Sequence, residues 1–221
     1  MHTLPTPAPI TTVLNLPAAR IHIIAADRTD TTVQIQPANP SKNRDVQAAE
    51  QTTVTHDDGV LHIQTPTPKH QAFGPSGSIE VTIQLPTGSH LQAKAASAQL
   101  RGVGRLGNVT LEAAQGPVKL DETASAHLTL LDGDISIGHL NGPAQISVQK
   151  GDIDIAQATH GTVALRTESG DITISAAPGA SAALNAGTPY GRVHNALKND
   201  GATALDIHAT TSHGDITARS L

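Results

Sequence analysis

The feature that most constrains how this chain can fold is a phrase that returns at nearly even spacing. Asp132-Gly133-Asp134-Ile135-Ser136-Ile137 is followed by Lys150-Gly151-Asp152-Ile153-Asp154-Ile155, by Ser169-Gly170-Asp171-Ile172-Thr173-Ile174, and by His213-Gly214-Asp215-Ile216-Thr217. With the glycine as a mark, apolar residues fall two and four positions on: Leu61 and Ile63 after Gly59, Ile79 and Val81 after Gly77, Val118 and Leu120 after Gly116. Weaker versions keep the spacing at Ala98, followed by Leu100, and at Gly191, followed by Val193 and then Asn195. Polar residues such as His62, Glu80, Lys119, Thr173 and His194 stand between. Alternation of this kind marks a strand with one buried face. Its return in steps of about 18 residues marks a repeat architecture.

Each repeat holds a second strand-like piece: Val109-Thr110-Leu111, His127-Leu128-Thr129-Leu130, Gln145-Ile146-Ser147-Val148 and Thr162-Val163-Ala164-Leu165. One strand–turn–strand–turn unit cannot bury its apolar face alone, but stacked units place isoleucine over isoleucine in a continuous core. Each buried branched side chain contributes roughly 1.5–3 kcal/mol. The expected fold is therefore all-β, a two-sheet parallel β-solenoid with rungs of about 18 residues. Eight or nine rungs would reach on the order of 40 Å at about 4.8 Å per rung. An antiparallel β-sandwich is the alternative, since short turns also permit hairpins.

Composition agrees with a narrow stack. Aromatic residues make up 1% of the chain, with Phe73 and Tyr190 the two large rings, so Ala, Thr, Ile, Val and Leu have to form the core. The formal charge is -5 and the basic residues are scattered. Without a basic stripe or stacking rings, nucleic acid is not an expected partner. The chain has no cysteine, which removes disulfides and thiol chemistry. No apolar run approaches the length of a membrane span, and Met1-His2-Thr3-Leu4-Pro5-Thr6-Pro7 lacks the basic and apolar regions of a signal peptide. The expected location is the cytoplasm, with surface display by another route left open.

Along the chain, residues 1–9 are Pro- and Thr-rich and are expected to be extended or frayed. Residues 10–16 and 20–25 read as strands separated by Pro17-Ala18-Ala19, and 32–36 alternates cleanly. Residues 37–45 read as a polar loop, and 51–56 with 60–64 as a hairpin about Asp57-Asp58-Gly59. Pro66, Pro68, Gly74 and Pro75 mark 65–76 as a seam. The chain then divides into an N-terminal β-strand cap over 1–64, with antiparallel strands, and a strand-repeat stack over 65–221, the two forming one continuous unit. Residues 91–100 are tempting as a helix but keep the repeat spacing, and read as strand.

The Ser/Lys-Gly-Asp-Ile-x-Ile phrases at 150–155 and 169–174 are joined by a tail. It runs Tyr190-Gly191-Arg192-Val193-His194-Asn195 and then His208-Ala209-Thr210-Thr211-Ser212-His213-Gly214-Asp215-Ile216-Thr217-Ala218. These stretches resemble the bacterial putative-adhesin family, a β-strand-repeat domain of otherwise unknown function. The resemblance covers residues 10–221 and implies an all-β stack without established catalysis. The chain departs from the pattern at Ser97-Ala98-Gln99-Leu100-Arg101 and at Gly116-Pro117.

Several constellations bear on chemistry. In a solenoid, Asp134, Asp152 and Asp171 would stack about 4.8 Å apart, a ladder able to ligate a hard cation such as Ca²⁺. The Gly-Gly-x-Gly-x-Asp nonapeptide of calcium-binding rolls is absent. The preferred reading is that glycine supplies a positive φ and aspartate caps the turn. Lys150 is expected beside Asp132, and Arg192 between Asp171 and Asp215, so that charge along the ladder is compensated. The 12 histidines, His208 and His213 among them, lack a metal-pair spacing and read as surface residues. Ser169-Gly170 and Ser76-Gly77 read as turns, since no Gly-x-Ser-x-Gly elbow occurs. Tyr190, Arg192 and Asn195 form the most site-like surface cluster, on the register of a degenerate rung. No catalytic, metal or cofactor residue is assigned.

The expected function is that of a non-catalytic structural or interaction module, adhesin-like and of unknown ligand, whose partner is a protein or a second copy. A polysaccharide-acting enzyme using paired carboxylates such as Asp132 and Asp134 is the alternative, with carbohydrate as ligand. The scarcity of aromatic platforms weighs against it. A cytoplasmic regulatory accessory protein is a further alternative.

Overall fold

Where branched apolar and polar residues alternate at the repeat spacing, the backbone is extended, and in every rung but the β15 one a side of it is buried. The structure, a computed structural model, describes residues 2–66 and 77–221. It begins with β1 (His2–Pro5), β2 (Thr11–Ala26), β3 (Asp30–Pro37), α1 (Asn43–Gln51), β4 (Thr53–Asp57) and β5 (Val60–Gln64). There follow β6 (Ile79–Pro86), β7 (His90–Gln115), β8 (Val118–Asp132), β9 (Ile135–Leu140), β10 (Ala144–Lys150) and β11 (Ile153–Ala158). The chain closes with β12 (Gly161–Ser169), β13 (Ile172–Ala176), β14 (Ala182–Gly187), β15 (Val193–Ala196), β16 (Leu205–His213) and β17 (Ile216–Ser220). Among the described residues no helix is long and apolar enough to cross a membrane.

The repeats pair in parallel, rung on rung, which makes the fold a two-sheet β-solenoid and sets aside the antiparallel sandwich. β10 lies between β8 and β12, while β11 lies between β9 and β13. Long strands turn the corner and serve both sheets: the first half of β2 pairs with β5 and its second half with β6. Pairing in register builds the core. Ile135, Ile153, Ile172 and Ile216 form one column, each no more than 1% exposed. Leu111, Leu128, Ile146, Leu165 and Ala209 form a facing column from the other sheet. All belong to one continuous hydrophobic cluster that also takes in Leu14, Val33 and Ile63 from the N-terminal strands.

Stacking order departs from chain order at both ends. β2, the first long strand, sits between β5 and β6 on one side and β7 on the other. At the far end β16 sits between β12 and β14, and β17 between β13 and β15. The last pass of the chain is thus intercalated, and the pass before it, β14–β15, forms the end rung. This corrects two expectations. Gly214, not Gly191, follows Gly170 in the stack, so Arg192 lies beyond Asp215 rather than between Asp171 and Asp215. Gly59 precedes a strand of the other sheet, because β5 pairs with the first half of β2.

The N-terminal region mixes the two modes. β1, β3 and β4 are antiparallel, as expected of a cap, whereas β2 and β5 run parallel within the stack. The hairpin at Asp58 and Gly59 forms, both residues having positive φ. Residues 2–5 are not frayed: they pair with β3, and the buried Thr6 and Thr31 hydroxyls share a hydrogen bond of 2.8 Å. The polar loop read over 37–45 ends in a helix, since its last three residues open α1. Asp45 holds α1 in place by accepting the N–H groups of Asn39 (3.1 Å) and Ser78 (3.0 Å). The expected seam at 65–76 lies, from residue 67 on, outside the described residues.

Because Ile153 is fully buried and Thr173 faces outward, substitutions there should separate cleanly. Ile153→Ala is expected to cost about 2–5 kcal/mol, whereas Thr173→Asp should stay within about 0.5 kcal/mol of wild type. Urea unfolding measures both, and equal losses would contradict the inside–outside assignment.

Candidate functional site

The recurring phrase places its glycine at the corner where each rung passes from one sheet to the other. Gly116, Gly133, Gly151, Gly170 and Gly214 all have positive φ, between 122° and 151°. Their stacked backbones also approach closely. A Cβ on Gly151 would lie 2.3 Å from the Gly133 carbonyl oxygen, and one on Gly170 2.1 Å from that of Gly151. Either condition alone favours glycine, and together they require it. From inside the corner the buried Thr167 and Thr211 hydroxyls donate to the carbonyls of Gly151 (3.0 Å) and Gly170 (2.9 Å).

Two polar ledges flank this ridge. On one, each aspartate accepts a hydrogen bond from the backbone of the next rung. Asp134 Oδ1 accepts the Asp152 N–H (3.0 Å), Asp152 Oδ1 that of Asp171 (2.7 Å), Asp171 Oδ1 that of Asp215 (2.7 Å), and Asp215 Oδ1 that of Arg192 (2.9 Å). The aspartates therefore cap across rungs rather than within their own turn. The phrase departs from its aspartate on either side of this ladder. Pro117, before the ladder, has no N–H to give, and Arg192, on the end rung, has no further rung to cap.

The other ledge runs Gln115, Asp132, Lys150, Ser169 and His213 in register, with Tyr190 bridged to His213. Lys150 thus stands beside Asp132, as expected. Tyr190 stacks on His213 with ring centroids 4.9 Å apart and planes 7° from parallel. The Arg192 guanidinium lies 3.8 Å from Asp215.

Of the surface cluster read from the sequence, Tyr190 and Arg192 close the two ledges at the same corner. Asn195 lies along β15 and accepts the Leu197 N–H at 3.0 Å. An open depression of about 530 Å³ beside them is lined by Arg192, Val193, His194, Asp215, Ile216 and Thr217. Across the same end rung, the loop 197–204 is held by Asp200 and Ser181. The Ser181 hydroxyl and the Ala202 N–H keep the Asp200 carboxyl below its ordinary pKa range. Nothing in the repeat pattern pointed to this loop.

The proposed cation ladder has its Oδ1 atoms committed to backbone N–H groups. Among the described residues no group of three or more His, Cys, Asp and Glu is gathered to hold a metal. His208 pairs with Asp206 at 3.1 Å on the outer face, away from His213. Ser169 stands on the ledge, and Ser76 lies outside the described residues.

Replacing Asp152 tests the ladder. Asp152→Ala strands the Asp171 N–H and should cost about 0.5–1.5 kcal/mol. Asp152→Asn keeps the acceptor while removing one charge from the column, and should be neutral or stabilising. Urea midpoints in the reverse order would contradict a hydrogen-bonded column.

Residues 89–219 match the sequence model of the Toastrack DUF4097 family. No curated protein matches the chain. Among solved structures, a putative cell adhesion protein from Clostridium sporogenes is similar over 100% of this chain and 98% of its own, at 14% identity and a TM-score of 0.44. A putative adhesin from Bacteroides fragilis is similar over 98% and 95%, at 13% identity and a TM-score of 0.49. One from Parabacteroides distasonis is similar over the same shares, at 14% identity and a TM-score of 0.41.

Proposed function

This chain belongs to the Toastrack DUF4097 family, and from that premise we propose that it is a non-catalytic, adhesin-like interaction module whose stack holds flat strand faces rigid for a partner protein. The observation that carries this reading is the outer face of the sheet that joins β7, β8, β10, β12, β16 and β14. There Thr110, His127, Gln145, Ala164, His208 and Asn185 occupy one register column, and Glu112, Thr129, Ser147, Arg166 and Thr210 the next. Neighbouring rungs repeat at about 4.8 Å, so these side chains, Ala164 apart, form a grid of donors and acceptors on an extended surface. Solenoids offer surfaces of this kind to partners. A grid already fixed by the core has little backbone freedom left to lose on binding. The ladder carboxylates, each tied to a backbone N–H, support a structural role for the most regular acidic residues of the chain.

Photo-crosslinking in the producing cells tests the module. A photoreactive residue at position 129 or 147 is expected to capture a discrete partner, and one at position 173, on the other sheet, to capture less. Equal, diffuse labelling from all three positions would contradict a face-directed partner. Protease shaving of intact cells locates the encounter. The cytoplasmic reading expects the chain to survive until lysis, and its loss from intact cells would place the partner outside.

A further inference from the structure

The two ends of the stack are not alike, and the β14–β15 end is unfinished. The column Ile135, Ile153, Ile172, Ile216 continues to Val193, which is 45% exposed while the four isoleucines are no more than 1% exposed. Tyr190, the last residue of its ledge, is 69% exposed. The backbone is open in the same place. Leu205 donates to the Ser181 carbonyl and Ile216 to that of Arg192. By alternation along each strand, the peptide groups of Leu184, Ala186, Val193 and Asn195 then face away from the stack. Among the described residues no strand pairs with that side of β14 or β15. Unpaired edges on both sheets, beside an uncovered core column, form a template for further strands.

Charge selects the occupant. At the glycine corner of this rung the Arg192 side chain is 90% exposed. At the opposite corner the loop 197–204 passes in front of β14, where Lys198 O accepts the Ala182 N–H at 3.0 Å. That loop carries Asp200, whose N–H donates to the Ser181 hydroxyl at 3.1 Å. A two-fold axis perpendicular to both sheets sets the end rungs of two copies edge to edge, with their strands antiparallel. The same rotation exchanges the corners, bringing Arg192 of each copy to the Asp200 loop of the other. Both sheets continue across the seam, and the contact closes on itself because each copy uses one patch. Among the described residues the other end offers no equivalent rung, since β1 and β4 run antiparallel to their neighbours and α1 packs against β3.

We propose that the β14–β15 rung is a homodimerisation surface through which two copies of this chain join end to end, clamped by reciprocal Arg192–Asp200 pairs. The inference rests on the interaction-module reading and names a second copy as one partner.

Sedimentation equilibrium of the full chain tests it, with wild type beside Arg192→Asp, Asp200→Arg and the double swap. Circular dichroism and urea midpoints report whether each variant is folded. Wild type is expected to be a dimer, each single reversal to weaken it by about tenfold or more, and the double swap to recover most of that loss. Val193→Lys, which charges the uncovered end of the column, is expected to give a folded monomer. A wild-type monomer at every concentration, open-ended polymers, or single and double variants with one shared constant would overturn the dimer. The two readings fail separately. Cross-links from positions 129 and 147 that persist in the Val193→Lys monomer keep the module, and their loss alongside an intact dimer removes the module alone.

Discussion

The close passage of one rung's backbone over the next at the glycine corner is the constraint on which the rest of this structure depends. With Gly133, Gly151, Gly170 and Gly214 stacked so tightly that no Cβ fits, each rung is pinned to its neighbour at one residue. The positions two and four residues on then have no freedom of register, and isoleucine falls on isoleucine. A slip of one residue would turn every buried side chain outward, so the corner and the core enforce the same alignment. The aspartate ladder adds a third layer to that agreement. It forms only when the residue after each glycine lies directly over its counterpart, and it gives an exposed row of N–H groups an acceptor in the rung beneath.

The ends follow from the same logic. A solenoid is weakest at its terminal rungs, where one side of each strand lacks a neighbour. At the C-terminal end the outermost place is taken by an internal segment, β14–β15, while the last pass, β16–β17, is held between partners on both sides. At the other end the long β2 is likewise held on both sides, and β1 lies outside it as an edge strand on β3. Fraying of the C-terminal pass therefore has to break two seams at once. The complete phrase His213-Gly214-Asp215-Ile216 occupies the inner place and the degraded phrase Tyr190-Gly191-Arg192-Val193 the outer one, where neither a capping carboxylate nor a large buried residue is required.

Much of this architecture was legible because the repeat states the same physics several times. Alternation with a corner glycine specified the parallel two-sheet stack, the core residues and the strand over 91–100. The order of the last rungs departs from chain order, and the missing aspartate at Arg192 and the polar Asn195 in an apolar slot are its signals in the sequence. Elements held by a single distant contact were harder. α1 has no side-chain cap at its N-terminus. It depends on Asp45 binding Asn39 and Ser78 and on Ala48 being buried, none of which local sequence announces. β1 likewise pairs with β3 from across a corner. The candidate site divides the same way: Tyr190 and Arg192 were visible as irregular residues on a regular register, whereas the Asp200 loop, lacking any repeat, was not.

The central claim is that the chain stacks in register at the glycine corner with its final pass intercalated, and disulfide trapping tests it most directly because the chain has no cysteine of its own. Thr173 and Thr217 are register partners, and Thr217 separates Thr173 from His194. Cysteines at 173 and 217 should therefore close a disulfide under mild oxidation. Cysteines at 173 and 194, two rungs and about 10 Å apart, should not. Ready closure of the 173–194 pair with an open 173–217 pair would mean that the rungs follow chain order, and would contradict the stack described above.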